Sequence, residues 1–108
     1  MNLQPRFFDF IKNGTKRIEL RLYDDKRKQI NLGDIIEFSK SENDKLKAEV
    51  VGLLYYHSFI DLFEDFDISI LADASMTKDE LLNILNEFYT PEKQSQYGVI
   101  GIRIKALK

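Results

Sequence analysis

The chain has 108 residues, a formal net charge of −2, 44% hydrophobic residues and no cysteine. One domain with a single core fits that size, while disulfides, thiolate metal sites and thiol nucleophiles are excluded. No apolar run approaches the roughly 20 residues of a membrane helix, and Met1 to Pro5 does not begin a secretory leader, so a cytoplasmic protein with no membrane association is expected.

Pro5 to Lys12 reads as a short helix with Phe7, Phe8 and Ile11 on one side and Asn13-Gly14 as its stop. The period then shortens. From Lys16 onward, Ile18, Leu20 and Leu22 alternate with Arg17, Glu19, Arg21 and Tyr23, the two-residue repeat of a half-buried strand with one apolar face and one chemical face. Asp24 to Lys28 is a charged loop, and Leu32-Gly33-Asp34 turns into a strand over Ile35 to Ser39. Leu46 to Tyr56 is long and apolar enough for a central strand.

Ser58 and Asp61 start a helix carrying Phe59, Leu62, Phe63 and Phe66, and Thr77 with Glu80 starts another carrying Leu81, Leu82, Ile84, Leu85 and Phe88. Both stripes read as core. Thr90-Pro91 opens a third short helix that Gly98 ends, and Val99 to Leu107 closes the chain as a strand with Ile100, Ile102 and Ile104 on one face.

Charge is unevenly spread. Residues 1 to 40 carry nine basic against six acidic groups, residues 93 to 108 four against none, and residues 58 to 92 one against nine. The two ends form a basic face if they pair, and the acidic stretch reads as solvated helix surface.

The segment with chemistry is Gly14 to Arg21, spaced G-x-K-x-x-E-x-R. Strand geometry puts Glu19 and Arg21 on one face, and Lys16 leaves the glycine turn close enough to reach over it. A guanidinium grips phosphate or carboxylate with paired donors, a lysine adds a compact charge, and a carboxylate accepts from base amino groups or holds the arginine. Spacing alone does not separate that reading from a solvated strand. Tyr23 shares the face of Arg21 and offers a ring for stacking. Arg27, Lys28, Arg103 and Lys105 form a candidate secondary basic rim. His57, the sole histidine, reads as a packing or surface residue, so no metal and no cofactor is expected.

GTKRIELR, its continuation LYDDKRKQINLGDIIEFS, the later YYHSFIDLF and the closing YGVIGIRI together resemble the ASCH family, which is similar to PUA domains. The resemblance implies a small α+β fold, a PUA-like β-barrel with flanking short helices, and a cleft lined by the motif residues Lys16, Glu19 and Arg21 that takes RNA or a nucleotide. Relatives commonly have a strand before the first helix, where this chain has only Met1 to Gln4. One branch hydrolyses acylated cytidine with a lysine, a threonine and a glutamate. Lys16 matches the lysine, Glu19 stands at the threonine position, and the glutamate falls near Ala74, beside Asp73. The alternatives are therefore a nucleoside amidohydrolase or a metal-independent ribonuclease with Lys16 and Glu19 as its catalytic groups, or a protein-interaction module using the acidic helices. The oligomeric state and the ligand's identity are left open.

Overall fold

A computed structural model describes residues 1–107 of the chain. Its elements follow in the order α1 (Pro5–Lys12), β1 (Ile18–Leu22), β2 (Ile35–Ser39), β3 (Lys45–Tyr56), α2 (Phe59–Asp65), α3 (Ile68–Leu71), α4 (Lys78–Phe88), α5 (Pro91–Tyr97) and β4 (Val99–Ala106). The four strands form one antiparallel sheet in the order β1-β4-β3-β2. The fold is α+β: a curled half-barrel with short helices around it. No helix is long and apolar enough to cross a membrane.

The last strand is the spine. Ile100, Ile102 and Ile104 join Phe38, Ala48 and Val50 of the neighbouring strands and Phe8 and Ile11 of α1 in one buried cluster. On the opposite face Ile18, Leu20, Leu22 and Val99 pack with Phe59, Leu62, Leu71, Leu81 and Leu85 from α2, α3 and α4. Each of the valine, leucine, isoleucine and phenylalanine side chains contributes about 1.5–3 kcal/mol on full burial. β3 is long because it curls, and its register with β4 shifts between Val50 and Gly52, a bulge. A side chain at Gly52 would meet Arg103 at 3.0 Å, so the glycine gives the stem of Arg103 room to cross the strand.

The helix starts follow the sequence signals. Ser58 Oγ accepts from Asp61 N–H, Thr77 and Glu80 form a complete capping box, and Pro5 and Pro91 occupy first-turn positions. Gly14 stops α1 with φ at +82°, and the N–H groups of Gly14 and Thr15 donate to Ile11 O and Phe10 O, both at 3.0 Å. That is the Schellman pattern. Two short elements lack a strong periodic signal. Residues 27–29 make one 3₁₀ turn inside the expected charged loop, where Asp24 Oδ1 accepts from Arg27 N–H. α3 starts after Phe66, which is extended, and Asp67 accepts from Ser69 N–H to cap it.

The sheet is open between β1 and β2, and the N-terminal segment spans the gap. Asn2 forms a single parallel bridge with Ser39 on β2, with Leu3 N–H donating to Ser39 O and Ser39 N–H to Met1 O at 2.9 Å. The carbonyl of Asn2 accepts from Arg21 Nη2 on β1 at 3.2 Å. One bridge and one guanidinium thus join the two edges across the gap.

Candidate functional site

In the register of β1 with β4, Glu19 opposes Ile102 and Arg21 opposes Ile100. Residues opposed across a ladder share a face. The expected polar face of β1 is therefore not open to solvent: it lies on the inner, curled side with the isoleucine cluster, and Glu19 is only 5% exposed. Alternation gave the right pleat, but curling and cover from α1 bury the second side as well.

β1 is an edge strand, and its charged side chains dress that edge. Ile104 N–H donates to Arg17 O and Tyr23 N–H to Gly98 O, so the odd-numbered residues bond β4 and the even-numbered ones turn their backbone groups outward. Lys16 Nζ donates to Ile18 O at 2.7 Å, and Glu19 Oε1 accepts from Leu20 N–H at 3.2 Å. The ammonium also donates to Leu71 O of α3 at 2.6 Å and stands 3.5 Å from Glu19 Oε1. Lys16 is 3% exposed. Its three donors face two carbonyls and a carboxylate, and it ties β1 to α3.

Glu19 Oε2 accepts from Arg21 Nε at 3.0 Å and from Nη2 at 2.8 Å. Burial alone would raise the Glu19 carboxyl, but Lys16 and Arg21 outweigh it and hold it below its ordinary value. Burial lowers Lys16, against the pull of Glu19. For Arg21 burial acts downward, and Glu19 and the adjacent Tyr89 hydroxyl more than offset it. Nε and Nη2 of Arg21 are engaged by Glu19 and Asn2, and the Tyr89 hydroxyl stands beside the guanidinium.

A cleft of about 330 Å³ runs beside this edge. Glu19, Leu20 and Arg21 line it on one side, Leu3, Gln4 and Phe7 on another, and Ile84, Phe88 and Tyr89 close it from α4. Tyr89 is fixed from behind by Gln94, a buried side chain that donates to Tyr89 O at 2.8 Å and to Asn86 Oδ1 at 2.9 Å while accepting from Phe59 N–H.

The structure brings Lys16, Glu19 and Arg21 together, but only Glu19 and Arg21 line the cleft. Tyr23 lies outside it: its ring meets Tyr55 edge-to-face at 4.9 Å, with Lys28 Nζ 5.5 Å from the ring centre. The four residues of the secondary rim are not contiguous. Arg27 is paired with Asp24 at 3.1 Å and Lys28 is near Asp25, whereas Arg103 lies over Phe66 and Lys105 follows two residues later, next to the last residue of β4. Asp73, beside the position of the branch glutamate, accepts from Ser75 N–H and closes its own turn.

Sequence reasoning placed Phe88 in the core, yet it is 58% exposed at the cleft mouth. The available signal was its place at the last position of α4, followed by Tyr89 and the Thr90-Pro91 stop.

The curled half-barrel with a buried charged network on its edge strand defines a small α+β domain of PUA-like architecture. The ASCH domain family matches residues 1–108, and the chain belongs to that family. Among solved structures, the crystal structure of hypothetical protein PH0355 is 39% identical, with a TM-score of 0.88 over 99% of this chain and 96% of that one. The solution structure of protein PF0455 from Pyrococcus furiosus is 38% identical, with a TM-score of 0.81 over 100% of this chain and 96% of that one. No curated protein matches the chain.

Proposed function

We propose that the chain binds RNA or a nucleotide by placing a base in the cleft beside β1. The observation that carries this reading is a guanidinium, held by Glu19 at the edge of the cleft, beside aromatic and apolar walls from Phe7, Ile84, Phe88 and Tyr89. A flat base presents a π-face to such rings and acceptor atoms to a guanidinium edge. Membership of the ASCH family supports the same ligand class.

The chemistry of Glu19 favours binding over cleavage on this site. A general base needs a lone pair facing the proton it takes. Both Glu19 oxygens already accept, from Leu20 N–H and from Arg21, and its flanking cations hold it ionised. Lys16 is similarly committed to Ile18 O and Leu71 O. Their role is to hold Arg21 still.

Phe88 is the residue with which to test the cleft, because its exposure lets it be removed without opening the core. Phe88→Ala is expected to weaken binding of single-stranded RNA by about 1–3 kcal/mol, the usual contribution of one base–aromatic stack. Fluorescence anisotropy on labelled oligouridylate and oligoadenylate reads this directly. Equal affinity of wild type and variant for both would remove the cleft from the binding reading.

A further inference from the structure

A second recess lies at the other end of α1. It has a volume of about 560 Å³ and is formed where the end of α1, the run into β1 and the end of β4 meet. Lys12, Arg17 and Lys105 line it together with Asn13, Gly14 and Lys16, whose ammonium is already bound to Ile18 O and Leu71 O, and no carboxylate does. Among the described residues, Lys12, Arg17 and Lys105 form no ion pair, whereas Arg27, Lys40 and Lys45 each have an acidic partner. Glu49 opposes Lys105 across the β3–β4 ladder but makes no ion pair with it. All three cations are exposed.

We propose that this recess is a phosphate subsite, holding the backbone of the same RNA strand whose base occupies the cleft; it rests on the RNA reading of that cleft. Three cations from three chain segments converge on a concave surface, two as point charges and one as a planar fork, the combination that suits phosphodiester oxygens. Gly14 adds no side chain to the lining, and its φ of +82° is the reason a glycine stands there. The C-terminal end of α1 faces the recess, but its Phe10 and Ile11 carbonyls are closed by the N–H groups of Gly14, Thr15 and Lys16.

Residues 58 to 92 carry nine acidic groups against one basic, and α4 of that stretch walls the cleft, so cations outside the stretch must supply the attraction for a polyanion. The eight residues of α1 separate the two recesses by about 12 Å at 1.5 Å per residue. A mononucleotide in the cleft leaves the recess empty. A strand of several nucleotides fills both.

The two sources of phosphate are separated by titrating uridine monophosphate and labelled oligouridylate at several salt concentrations against wild type, Phe88→Ala and the triple variant Lys12→Ala/Arg17→Ala/Lys105→Ala. Each neutralised phosphate on a single strand contributes about −0.7 to the slope of log affinity against log salt, so the triple variant is expected to flatten the oligouridylate slope by about 2. Its affinity for the mononucleotide is expected to match wild type. An unchanged oligouridylate slope together with a weakened Phe88→Ala would overturn the subsite and leave the cleft standing. A flattened slope with no effect of Phe88→Ala would keep the subsite and remove the cleft. Equal loss of mononucleotide and oligonucleotide affinity in the triple variant would show a phosphate site for free nucleotides and overturn the shared-strand arrangement. No binding by wild type overturns both.

Discussion

The chain builds two clusters of charge within a few residues of one another, and they are opposites in physical character. Lys16 and Glu19 are buried and Arg21 is half-buried, Glu19 pairs with both cations, and the three are bonded to backbone groups of β1, α3 and the N-terminal segment. Lys12, Arg17 and Lys105 are exposed and unpaired among the described residues. The sequence interleaves them, Lys16 beside Arg17, so adjacency in the chain says little about role. What separates them is the cover supplied by α1 and α3, since Arg17 has the parity of Glu19 and Arg21 and is nonetheless exposed. Lys16 and Glu19, whose protons and lone pairs are already used, are structure, Arg21 is anchored by Glu19 while it lines the cleft, and a charge with no partner is available to a ligand.

The largest effect that tests this contrast comes from removing one member of the buried set. Glu19→Ala leaves a buried Lys16 and a half-buried Arg21 without their shared carboxylate and strips Leu20 N–H of its acceptor. Breaking a buried pair in this way costs about 3–5 kcal/mol, a large part of the stability of a small domain. Urea unfolding followed by circular dichroism measures it. A loss below about 1 kcal/mol would mean that water enters the network, which would then belong with the surface cluster.

Much of this fold could be read before any coordinates. β2, the curled β3, α4 with its capping box and β4 follow from period, length and cap residues, because each signal is local and no tertiary contact opposes it. The convergence of Lys16, Glu19 and Arg21 was legible for the same reason, as strand geometry fixes which side chains meet. The depth of that network was not. Alternation in β1 predicts one wet face, and only the packing of α1 and the bridge at Asn2 show that the face is enclosed. The far wall of the cleft was hidden too: Phe88 continues the apolar stripe of α4, and whether the last residue of a stripe is covered depends on where its neighbours end. Tyr23 shows the reverse limit, since shared parity with Arg21 put it on the right face while Tyr55 drew its ring away from the cleft.

Titration sharpens the contrast with a smaller effect. Glu19 is held below its ordinary value of 4.5, so between its folded value and 4.5 it stays ionised in the folded chain where the unfolded chain is already binding protons. Its stabilisation is fully present above about pH 4.5 and is lost as pH falls through the folded value, each unit of displacement being about 1.4 kcal/mol. Wild type is expected to lose stability in that acid window more steeply than Glu19→Gln, which starts lower and has no carboxyl to protonate at this site. Parallel acid limbs in urea titrations of the two proteins would assign the acid sensitivity to other groups, such as Asp67 and Asp73, whose turn hydrogen bonds also hold them low.

The smallest effect is expected in the exposed cluster, and its smallness is the point. The side chains of Lys12, Arg17 and Lys105 make no hydrogen bond or ion pair among the described residues, and the bonds that Arg17 makes run through its backbone, to Ile70 O and from Ile104 N–H. Substituting alanine at all three therefore removes no native polar contact. Surface changes away from caps, pairs and core lie within about 0.5 kcal/mol of neutral, and relief of repulsion among three cations around one recess pushes the result toward a slight gain. Because that repulsion is screened by ions over about 10 Å at 0.1 M, the gain is expected at low salt and to fade as salt rises. Urea midpoints of wild type and triple variant, taken at low and at high salt, measure both the sign and its fading. A stability loss comparable to that of Glu19→Ala would place these cations in the scaffold, and the division of the molecule into a spent and an unspent cluster would fail.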